Sequence, residues 1–314
     1  ELHKIPIGIR EIASDIPDDH PEMTDRTFVK QHLPNRPDSG HKGTFGTCLV
    51  IAGTEAFTGA AYLTGKAAYL AGSGLVHVAA PGKVRDSLAG QLIEAVWTVL
   101  PGQAGGYAPE GALLLTETLK KVDALVIGPG WGLHDQNVKF LEALLLLIPP
   151  DLPTLFDADG LKLLSRLEKW WEKIPEKSIL TPHPGEMSVL SGLTIEQIQA
   201  DRWRIAQEYG NRWNSILLLK GALTVIAAPG NRLFINPVSD SALATAGSGD
   251  VLSGVIGGVL AQGVEAHTAA VLGGWLHGQA GVAAHRQMGT DIPVTALDIL
   301  QNVGKTFVNA KEAG

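Results

Sequence analysis

Short apolar runs alternate with helical patterns along most of this chain. The runs with the length and composition of buried strands are residues 47–52, 75–80, 124–127, 153–156, 178–180, 216–219 and 224–227. Between them, the pattern predicts helices over residues 59–71, 111–121, 136–148, 160–167, 185–190 and 195–209, and almost only helix after residue 250. This alternation predicts an α/β protein with a mostly parallel central sheet and helices on both faces. In such sheets, ligands bind beyond the carboxyl ends of the strands.

Residues 1–40 follow a different pattern. They are irregular and acidic, and Pro17, Pro21, Pro34 and Pro37 interrupt them. Residues 5–9 predict an isolated short strand, and residues 10–40 predict a linker or an arm laid over a neighbour. We therefore expect an N-terminal arm or linker over residues 1–40 and one regular domain over residues 41–314.

Composition narrows the class of protein. The 314 residues are 45% hydrophobic and include 37 glycines, which fits a compact α/β enzyme. A formal charge of −7 argues against nucleic acid or an anionic membrane as the main partner. The single cysteine, Cys48, allows no intrachain disulfide and agrees with a reducing compartment, and we expect a cytoplasmic location. Residues 266–285 are uncharged but contain three histidines, and they predict a buried helix rather than a membrane span.

The strongest chemical signal is a glycine-rich turn that ends in an acid. Gly247, Ser248 and Gly249 precede Asp250, and an apolar helix is predicted over residues 251–261. Free N–H groups at a helix start bind anions, and glycines let a phosphate approach the backbone closely. Asp250 would stand where it can take a proton from a hydroxyl that faces this phosphate. The alternative is that Asp250 only caps the helix.

Two further motifs follow predicted strands. Lys220 ends one strand, where a cation can neutralise nucleotide phosphates and the backbone of residues 221–224 can bracket a base. A lysine that closes a hairpin is the alternative. His183 follows another strand and could contact a phosphate or an amide, while Glu186 could hold a water-bound magnesium. Glu186 could instead simply complement the dipole of a helix.

Weaker signals lie at other strand ends. Asp157 and Asp159 could organise the water shell of a metal, although helix capping by Asp159 explains part of this pattern. Residues 128–132 predict either a backbone that passes close to a ligand or a tight turn. Residues 59–61 open a helix with small side chains, which allows either close packing or a ligand at the helix start. Lys42 precedes the first strand and could reach a phosphate or could lie only in a loop. The fingerprints of P-loop enzymes and dinucleotide-binding dehydrogenases are absent from the sequence.

Taken together, the motifs select a family. They occur in one order over residues 40–314: Lys42-Gly43-x-Phe45-Gly46, Gly128-Pro129-Gly130, Asp157-Ala158-Asp159-Gly160, Thr181-Pro182-His183-Pro184-Gly185-Glu186, Lys220-Gly221 and Gly247-Ser248-Gly249-Asp250. In this combination the chain resembles the ADP/ATP-dependent NAD(P)H-hydrate dehydratases of the ribokinase-like superfamily. The resemblance implies a three-layer α/β/α fold and the repair of hydrated nicotinamide cofactors, NADHX and NADPHX.

The resemblance also implies roles for individual residues. A nucleotide would phosphorylate the C6 hydroxyl of the hydrate, phosphate would then leave, and Asp250 would be the base. The implied nucleotide contacts are Lys220, Gly221, Ala222, Leu223, Thr224, Gly247, Ser248 and Gly249. The implied contacts to the hydrate are Ala60, Gly130, His183, Pro184, Gly185, Glu186 and Asp250. Mg²⁺ is the implied cofactor, with ADP or ATP as phosphoryl donor, and Glu186 is the candidate for ordering the metal.

One departure separates this chain from related kinases. Ribokinase-like kinases commonly carry Asn-x-x-Glu where this chain has His183 and Glu186. The histidine favours a dehydratase over a sugar or vitamin kinase, which stays the alternative because a fold alone does not define a function. A nucleotide-binding regulatory protein with a dead site is a third hypothesis, and the intact turn and Asp250 speak against it.

Partners follow from the same resemblance. In fused members of the family, an epimerase domain for the same hydrates precedes the dehydratase. Residues 5–9 resemble the end of that domain, so we expect either an excised dehydratase half or a remnant of the epimerase. The implied ligands are NADHX, NADPHX and ADP or ATP, and the implied assembly is a homo-oligomer such as a tetramer. The sequence leaves open the choices of ADP or ATP and of NADHX or NADPHX.

Overall fold

The computed structural model describes residues 20–103, 105–230, 232–292 and 294–312. The strands are β1 (Glu22–Met23), β2 (Thr47–Ile51), β3 (Leu75–Pro81), β4 (Val96–Leu100), β5 (Gly102–Gln103), β6 (Gly106–Tyr107), β7 (Ala124–Ile127), β8 (Thr154–Phe156), β9 (Ile179–Leu180), β10 (Ile216–Leu219), β11 (Val225–Ala227) and β12 (Phe234–Ile235). The helices are α1 (Arg26–His32), α2 (Thr58–Leu70), α3 (Gly82–Leu88), α4 (Thr116–Leu119), α5 (Asp135–Leu145), α6 (Asp159–Leu164), α7 (Pro184–Ser191), α8 (Ile195–Ala200), α9 (Arg202–Trp213), α10 (Ser248–Ala261), α11 (Ala266–Met288) and α12 (Ala296–Glu312).

Most of the described strands form one sheet in the order β1-β12-β11-β10-β9-β8-β7-β2-β3-β4. Between β10 and β4, every pair of adjacent strands is parallel. On the other side, β11 is antiparallel to both β10 and β12. This topology confirms the predicted α/β fold with a mostly parallel sheet. The carboxyl ends of the parallel strands therefore share one edge, where the sequence placed its strand-end motifs.

The sheet separates two hydrophobic layers. Along β2, Cys48 and Val50 face a core with α2, α10, α11 and α12, whereas Leu49 and Ile51 face a second core with α5, α6, α7 and α9. Alternate side chains of a strand point to opposite faces, so apolar residues at every position fit a strand buried on both sides. The chain therefore has the predicted three-layer α/β/α arrangement. Cys48 is fully buried, as expected for a core residue, and burial raises the pKa of its thiol to about 12.

Several predicted elements differ in their limits. The helix expected over residues 111–121 is a 3₁₀ helix, Pro109–Leu115, followed by the short α4. The helix expected over residues 195–209 is divided at Asp201, whose side chain accepts a hydrogen bond from the Arg204 N–H and caps α9. The pattern also missed β4, β12, the β5–β6 hairpin and α3. These elements are short or mixed in polarity, so tertiary pairing rather than local sequence defines them.

Two differences concern candidate sites. The helix after the glycine turn begins at Ser248, not at residue 251, so α10 includes Asp250 in its first turn. Lys42 lies in a 3₁₀ helix, Lys42–Phe45, that leads into the amino end of β2. The amino ends of parallel strands lie opposite their carboxyl ends, so Lys42 lies away from the edge that carries the other motifs, which favours the alternative in which it has no phosphate contact.

The described part of the N-terminal arm packs on the domain. Glu22–Met23 pairs with β12, and α1 buries Val29 completely. The ring centroids of Phe28 and Phe234 are 4.8 Å apart. This order was not predicted for residues 20–40, and the predicted strand at residues 5–9 lies outside the described residues. The division at residue 40 stays a prediction.

The predicted helix over residues 266–285 is α11, and it is largely buried. Within the part of the chain that the structure describes, no helix is both long and apolar enough to cross a membrane.

Glycines allow α10 to lie against the middle of the sheet. A Cβ at Gly254 would overlap the carbonyl oxygen of Thr64 in α2 and approach Ala67 to 2.6 Å. A Cβ at Gly257 would lie 2.5 Å from Val126 of β7 and 3.0 Å from the Cys48 sulfur. Because larger side chains would push α10 away from α2 and the sheet, these glycines set the position of the helix that carries Asp250.

We predict that Gly254→Ala lowers the free energy of unfolding by about 2–3 kcal/mol, because the added methyl group overpacks the α2–α10 contact. Gly304→Ala is the matched control, since a Cβ there meets nothing within 4 Å and alanine favours a helix. The measurement is urea unfolding followed by circular dichroism. Equal stability of the two variants would contradict the packing argument.

Candidate active site

One lysine holds two buried acids together at the carboxyl edge. Lys220 follows β10, and its ammonium lies 2.8 Å from Asp157 Oδ1 and 3.5 Å from Glu186 Oε2. Ser253 of α10 donates a hydrogen bond of 2.7 Å to the other oxygen of Asp157. Burial alone would lower the pKa of Lys220, but Asp157 and Glu186 outweigh it and raise the pKa. The lysine is therefore charged and fixed in position.

His183 and Glu186 form a capping box at the start of α7. The His183 N–H donates to Glu186 Oε2 at 3.0 Å, and the Gly185 N–H donates to His183 Nδ1 at 3.0 Å. His183 Nε2 lies 3.3 Å from Glu186 Oε1. Burial would raise the pKa of Glu186, but His183 and Lys220 outweigh it and lower the pKa to about 2. Glu186 is thus an ionised acid whose two oxygens already have partners.

These partners bear on the expected metal. Within the described residues, no group of three or more His, Cys, Asp or Glu side chains is placed to hold a metal ion. The oxygens of Glu186 face His183 and Lys220, and those of Asp157 face Lys220 and Ser253. The protein side chains therefore do not form a metal centre by themselves.

Asp250 is the remaining acid of the cluster. It occupies the first turn of α10, while the N-cap is Gly247 at φ +86° with no side-chain cap bond, so the capping alternative does not apply to Asp250. Burial and the neighbouring Asp157 raise the pKa of Asp250 to about 7, against the opposing effect of Lys220. A carboxyl group with this pKa can exchange a proton near neutral pH, as a general base requires.

The backbone of the turn before Asp250 can bind an anion. Gly247 takes the left-handed conformation, and the Ser248 N–H donates to the Thr245 carbonyl at 3.2 Å. The anion site therefore consists of the N–H groups that follow Ser248 at the start of α10, which have no partners inside the helix. A Cβ at Gly249 would lie 3.5 Å from the Lys220 ammonium. The open helix start and the lysine therefore act on the same point, and both attract a phosphate.

A cavity of 710 Å³ adjoins this turn. Several predicted nucleotide contacts line it: Lys220, Gly221, Ala222, Thr224, Ser248 and Gly249. Of the predicted nucleotide contacts, Leu223 and Gly247 lie beside the cavity rather than on its wall. Leu223 donates its N–H to the Val238 carbonyl. From the predicted hydrate contacts, His183 and Pro184 also line the cavity.

Sequence reasoning missed Asn236, which lines this cavity, and Arg202, which supports one of its turns. Arg202 of α9 donates to the carbonyls of Leu219 and Ala222 and so holds the turn after β10. Asn236 lines the cavity and is buried, and its amide has no hydrogen-bond partner within the described residues. Asn236 reaches the cavity because it follows β12, which pairs with β11. This placement depends on strand pairing, so no local sequence pattern could have identified Asn236.

His277 also lines the cavity, from the middle of α11. Its Nε2 lies 3.0 Å from Ser248 Oγ, and burial lowers the pKa of the imidazole to about 4. His277 is therefore neutral at pH 7, and it braces the glycine turn.

Ala60 and Gly130 lie against each other and do not line the 710 Å³ cavity. A Cβ at Gly130 would lie 2.7 Å from the Ala60 Cβ and 2.8 Å from the Phe57 Cβ. The Thr54 hydroxyl donates to the Gly130 carbonyl at 3.0 Å. Gly130 has φ +66°, so glycine is needed both for the turn and for the contact. The structure thus places the two residues together, with Ala60 in the first turn of α2 and Gly130 on the loop that follows β7.

The first acidic motif contains a strained residue. Ala158, between Asp157 and Asp159, has φ +51° although it is not glycine. Asp159 accepts a hydrogen bond from the Gly132 N–H at 2.8 Å and pairs with Lys162. The two acids therefore have different roles: Asp157 pairs with Lys220, and Asp159 fixes the turn after β7.

Fold and site together define a class: an α/β protein with an anion-binding helix start, a lysine and a buried acid, arranged for phosphoryl transfer. The family model for NAD(P)H-hydrate dehydratase matches residues 48–303. The chain therefore belongs to the NAD(P)H-hydrate dehydratase family.

Relatives agree with this assignment. The chain is 43% identical over 263 residues to the bifunctional NAD(P)H-hydrate repair enzyme Nnr of Moorella thermoacetica, covering 83% of this chain and 49% of that protein. It is 37% identical over 254 residues to the ADP-dependent (S)-NAD(P)H-hydrate dehydratase of Neisseria meningitidis, covering 78% of this chain and 79% of that protein. The chain spans about half the length of several bifunctional relatives it matches.

A solved structure supports the same fold. The ADP/ATP-dependent NAD(P)H-hydrate dehydratase of Bacillus subtilis, co-crystallised with ATP/Mg²⁺, superposes with a TM-score of 0.78 at 27% identity. The match covers 92% of this chain and 98% of that one. The expected ribokinase-like dehydratase fold is therefore confirmed.

We predict that Asp250→Asn raises the free energy of unfolding above pH 7. The folded-state pKa of about 7 exceeds the usual value of 3.8, so ionisation of Asp250 costs stability as pH rises through this range. The variant avoids this cost, which is about 2–4 kcal/mol at pH 8. The measurement is urea unfolding at pH 5 and pH 8.

Asp298→Asn is the control of opposite sign. Hydrogen bonds from Thr295 lower the pKa of Asp298, so its ionisation favours the folded state and the variant should lose stability at pH 8. A loss of stability in Asp250→Asn at pH 8 would contradict the proposed environment of Asp250.

Proposed function

We propose that this chain dehydrates the S-epimer of hydrated NADH or NADPH, with ADP or ATP as phosphoryl donor. The products are the dihydronicotinamide cofactor, phosphate, and AMP or ADP. One observation carries the proposal: Asp250, with a pKa near 7, lies in the first turn of α10, and a Cβ at Gly247 of this anion-binding turn would lie 2.6 Å from Leu63 of α2, the helix whose start carries Ala60. Membership of the dehydratase family supports it.

The donor nucleotide occupies the 710 Å³ cavity. Lys220 and the turn Gly221, Ala222, Leu223 and Thr224 contact the nucleotide. The backbone of Gly247, Ser248 and Gly249 holds the phosphoryl group that is transferred. The lysine charge, the open N–H groups of α10 and the lining of the cavity support these roles.

The hydrate lies on the other side of Asp250. Its contacts are Ala60 and Gly130 on one flank and His183, Pro184, Gly185 and Glu186 on the other. Asp250 contacts the C6 hydroxyl that receives the phosphoryl group. The meeting of Ala60 with Gly130, and the ordered start of α7, support this placement.

The reaction has two steps. Asp250 takes the proton of the C6 hydroxyl while the hydroxyl oxygen forms a bond to the terminal phosphorus of the donor and the bond to the leaving nucleotide breaks. The C6–O bond then breaks and the phosphate leaves with that oxygen, while water accepts the C5 proton and the C5–H electron pair forms the ring double bond. Hydroxide leaves poorly and phosphate leaves well, so phosphorylation makes the elimination possible.

Magnesium enters this scheme with the nucleotide. Mg²⁺ usually keeps several waters and binds substrate phosphates with few protein ligands, which fits a site whose acids are already paired. A water-mediated contact from Glu186 to such an ion stays a prediction. When bound, the ion would neutralise charge on the phosphates, and the roles of the protein residues above do not depend on it.

We also propose a protein partner and an oligomeric state for this chain. An NAD(P)H-hydrate epimerase, fused or associated, is the expected partner because several relatives are bifunctional repair enzymes. A homo-oligomer such as a tetramer is the expected assembly. A preference for ADP would match the relative from Neisseria meningitidis.

The first test adds ADP or ATP with Mg²⁺ to the protein and NADHX or NADPHX, and follows the dihydronicotinamide absorbance band. A nucleotide-dependent rise is expected, and the active nucleotide identifies the donor. Asp250→Asn should bind the nucleotide but lose turnover about 1,000-fold, since general bases commonly contribute 100- to 10,000-fold. Asp298→Asn should keep wild-type turnover. No rise with either nucleotide would favour the small-molecule kinase instead.

We predict a single ionisation in the acid limb of the rate. The base must be deprotonated, so kcat/KM should rise about tenfold per pH unit below pH 7 and level off above it. Asp157→Asn removes a negative neighbour and should shift this limb to lower pH. An acid limb that stays below pH 5 in the wild type would contradict the role of Asp250.

A further inference from the structure

A second cavity lies along the same edge of the sheet, beyond β3 and β4. It has a volume of 270 Å³ and is lined by Glu55, Pro81, Gly82, Lys83, Gly102, Gly105 and Gly106. These residues belong to the loop after β2, the β3–α3 junction and the β5–β6 hairpin. The reaction proposed above assigns no role to any of them.

The loop after β2 connects this cavity to the hydrate surface. Gly53 donates its N–H to the Pro129 carbonyl at 2.8 Å, and Thr54 donates to the Gly130 carbonyl. The next residue is Glu55, which lines the second cavity, and Phe57 lies against Gly130 with half of its surface exposed. The hydrate surface and the second cavity therefore share one loop.

Buried aromatic residues fix this loop. The Tyr107 hydroxyl donates to the Gly53 carbonyl at 2.7 Å, and the Trp131 indole donates to the Ile51 carbonyl at 2.8 Å. The Tyr107 N–H donates to Asn137 Oδ1, and Asn137 Nδ2 donates to the Trp131 carbonyl. Because the same network includes Tyr107 of β6 and the turn after β7, the two surfaces are held rigidly relative to each other.

The order of strands in the sheet indicates where the adenosine half of the hydrated dinucleotide would extend. The reacting ring must reach Asp250, and the donor nucleotide fills the large cavity beside β10. The other half of the hydrate must then extend the opposite way, across β7 and β2 toward β3. From β8, which carries Asp157, to β3 is three strand spacings, or about 14 Å. The second cavity lies at the end of that path.

The lining suits a phosphate beside a ribose. Lys83 supplies a positive charge, and Gly82, Gly102 and Gly105 present backbone without side chains. A Cβ at Gly82 or Gly102 would meet nothing closer than 3.5 Å, so packing does not require glycine at these two positions. Lys83 Nζ lies 2.9 Å from Glu55 Oε2, and both side chains are exposed, so this pair can open at little cost.

We propose that this second cavity binds the adenosine half of the hydrated dinucleotide, with Lys83 paired to one of its phosphates. The inference rests on the proposed function and adds a second binding site to it. Glu55 holds Lys83 in place before binding and is displaced by the phosphate. The pyrophosphate is present in both hydrates and the ribose 2′-phosphate only in NADPHX, so the two possible phosphates can be distinguished.

The test compares steady-state kinetics of Lys83→Gln with NADHX and with NADPHX, at saturating donor nucleotide. Loss of the charge should raise the KM for the hydrate roughly tenfold, while kcat and the KM for the nucleotide stay at wild-type values. Equal increases for both hydrates identify the pyrophosphate, and an increase confined to NADPHX identifies the 2′-phosphate. Both outcomes support the proposal.

Two further variants sharpen the test. Glu55→Gln removes the competing carboxylate and should lower the KM for the hydrate, the opposite direction to Lys83→Gln. Lys120→Gln is the charge-matched control, because Lys120 also forms an exposed ion pair, with Glu117. Its kinetics should equal those of the wild type.

A wild-type KM for both hydrates in Lys83→Gln would overturn the second site. That result is distinct from failure of the proposed function, in which the wild type itself shows no nucleotide-dependent turnover. Equal effects of Lys83→Gln and Lys120→Gln would also overturn it, since the change would then reflect net charge alone.

Discussion

The charge balance around Lys220 is the constraint on which the site depends. Its ammonium is shared by the buried carboxylates of Asp157 and Glu186, and both acids have additional hydrogen-bond donors. Removing Lys220 would leave two buried carboxylates without their counter-ion, which is costly. Asp250 lies in the field of these groups without an ion pair of its own among the described residues. The same balance that fixes the lysine therefore leaves one acid available to exchange a proton near pH 7.

The fold supplies the positions that this balance requires. Asp157, Glu186 and Lys220 follow β8, β9 and β10, which are neighbours in the sheet. Asp250 comes from a helix after the last strand, and glycines such as Gly254 let that helix lie directly on α2 and the sheet. Parallel strands bring the first three groups to one edge, and close helix packing brings the fourth. Sequence distance between them is therefore unimportant for the site.

Much of this could be read from the sequence, for identifiable reasons. Buried parallel strands are short apolar runs, and their carboxyl ends predicted where Lys220 and the His183 region would meet. The glycine turn before Asp250 was visible because its chemistry is local. Arg202 and Asn236 were not visible, since only the folded chain brings Asn236 to the cavity and Arg202 to the turn after β10. Lys42 lies apart from these motifs, because a motif before a strand lies at the opposite edge from one after it.

Isotope transfer is the most direct test of the central claim, that the C6 hydroxyl of the substrate accepts the phosphoryl group before it leaves. The hydrate is prepared with ¹⁸O in its C6 hydroxyl and converted with the donor nucleotide in unlabelled water. The phosphate released is then examined by mass spectrometry and ³¹P NMR. The account predicts that the label appears in the phosphate, because the hydroxyl oxygen leaves bonded to phosphorus. Label found in water, with unlabelled phosphate, would contradict it.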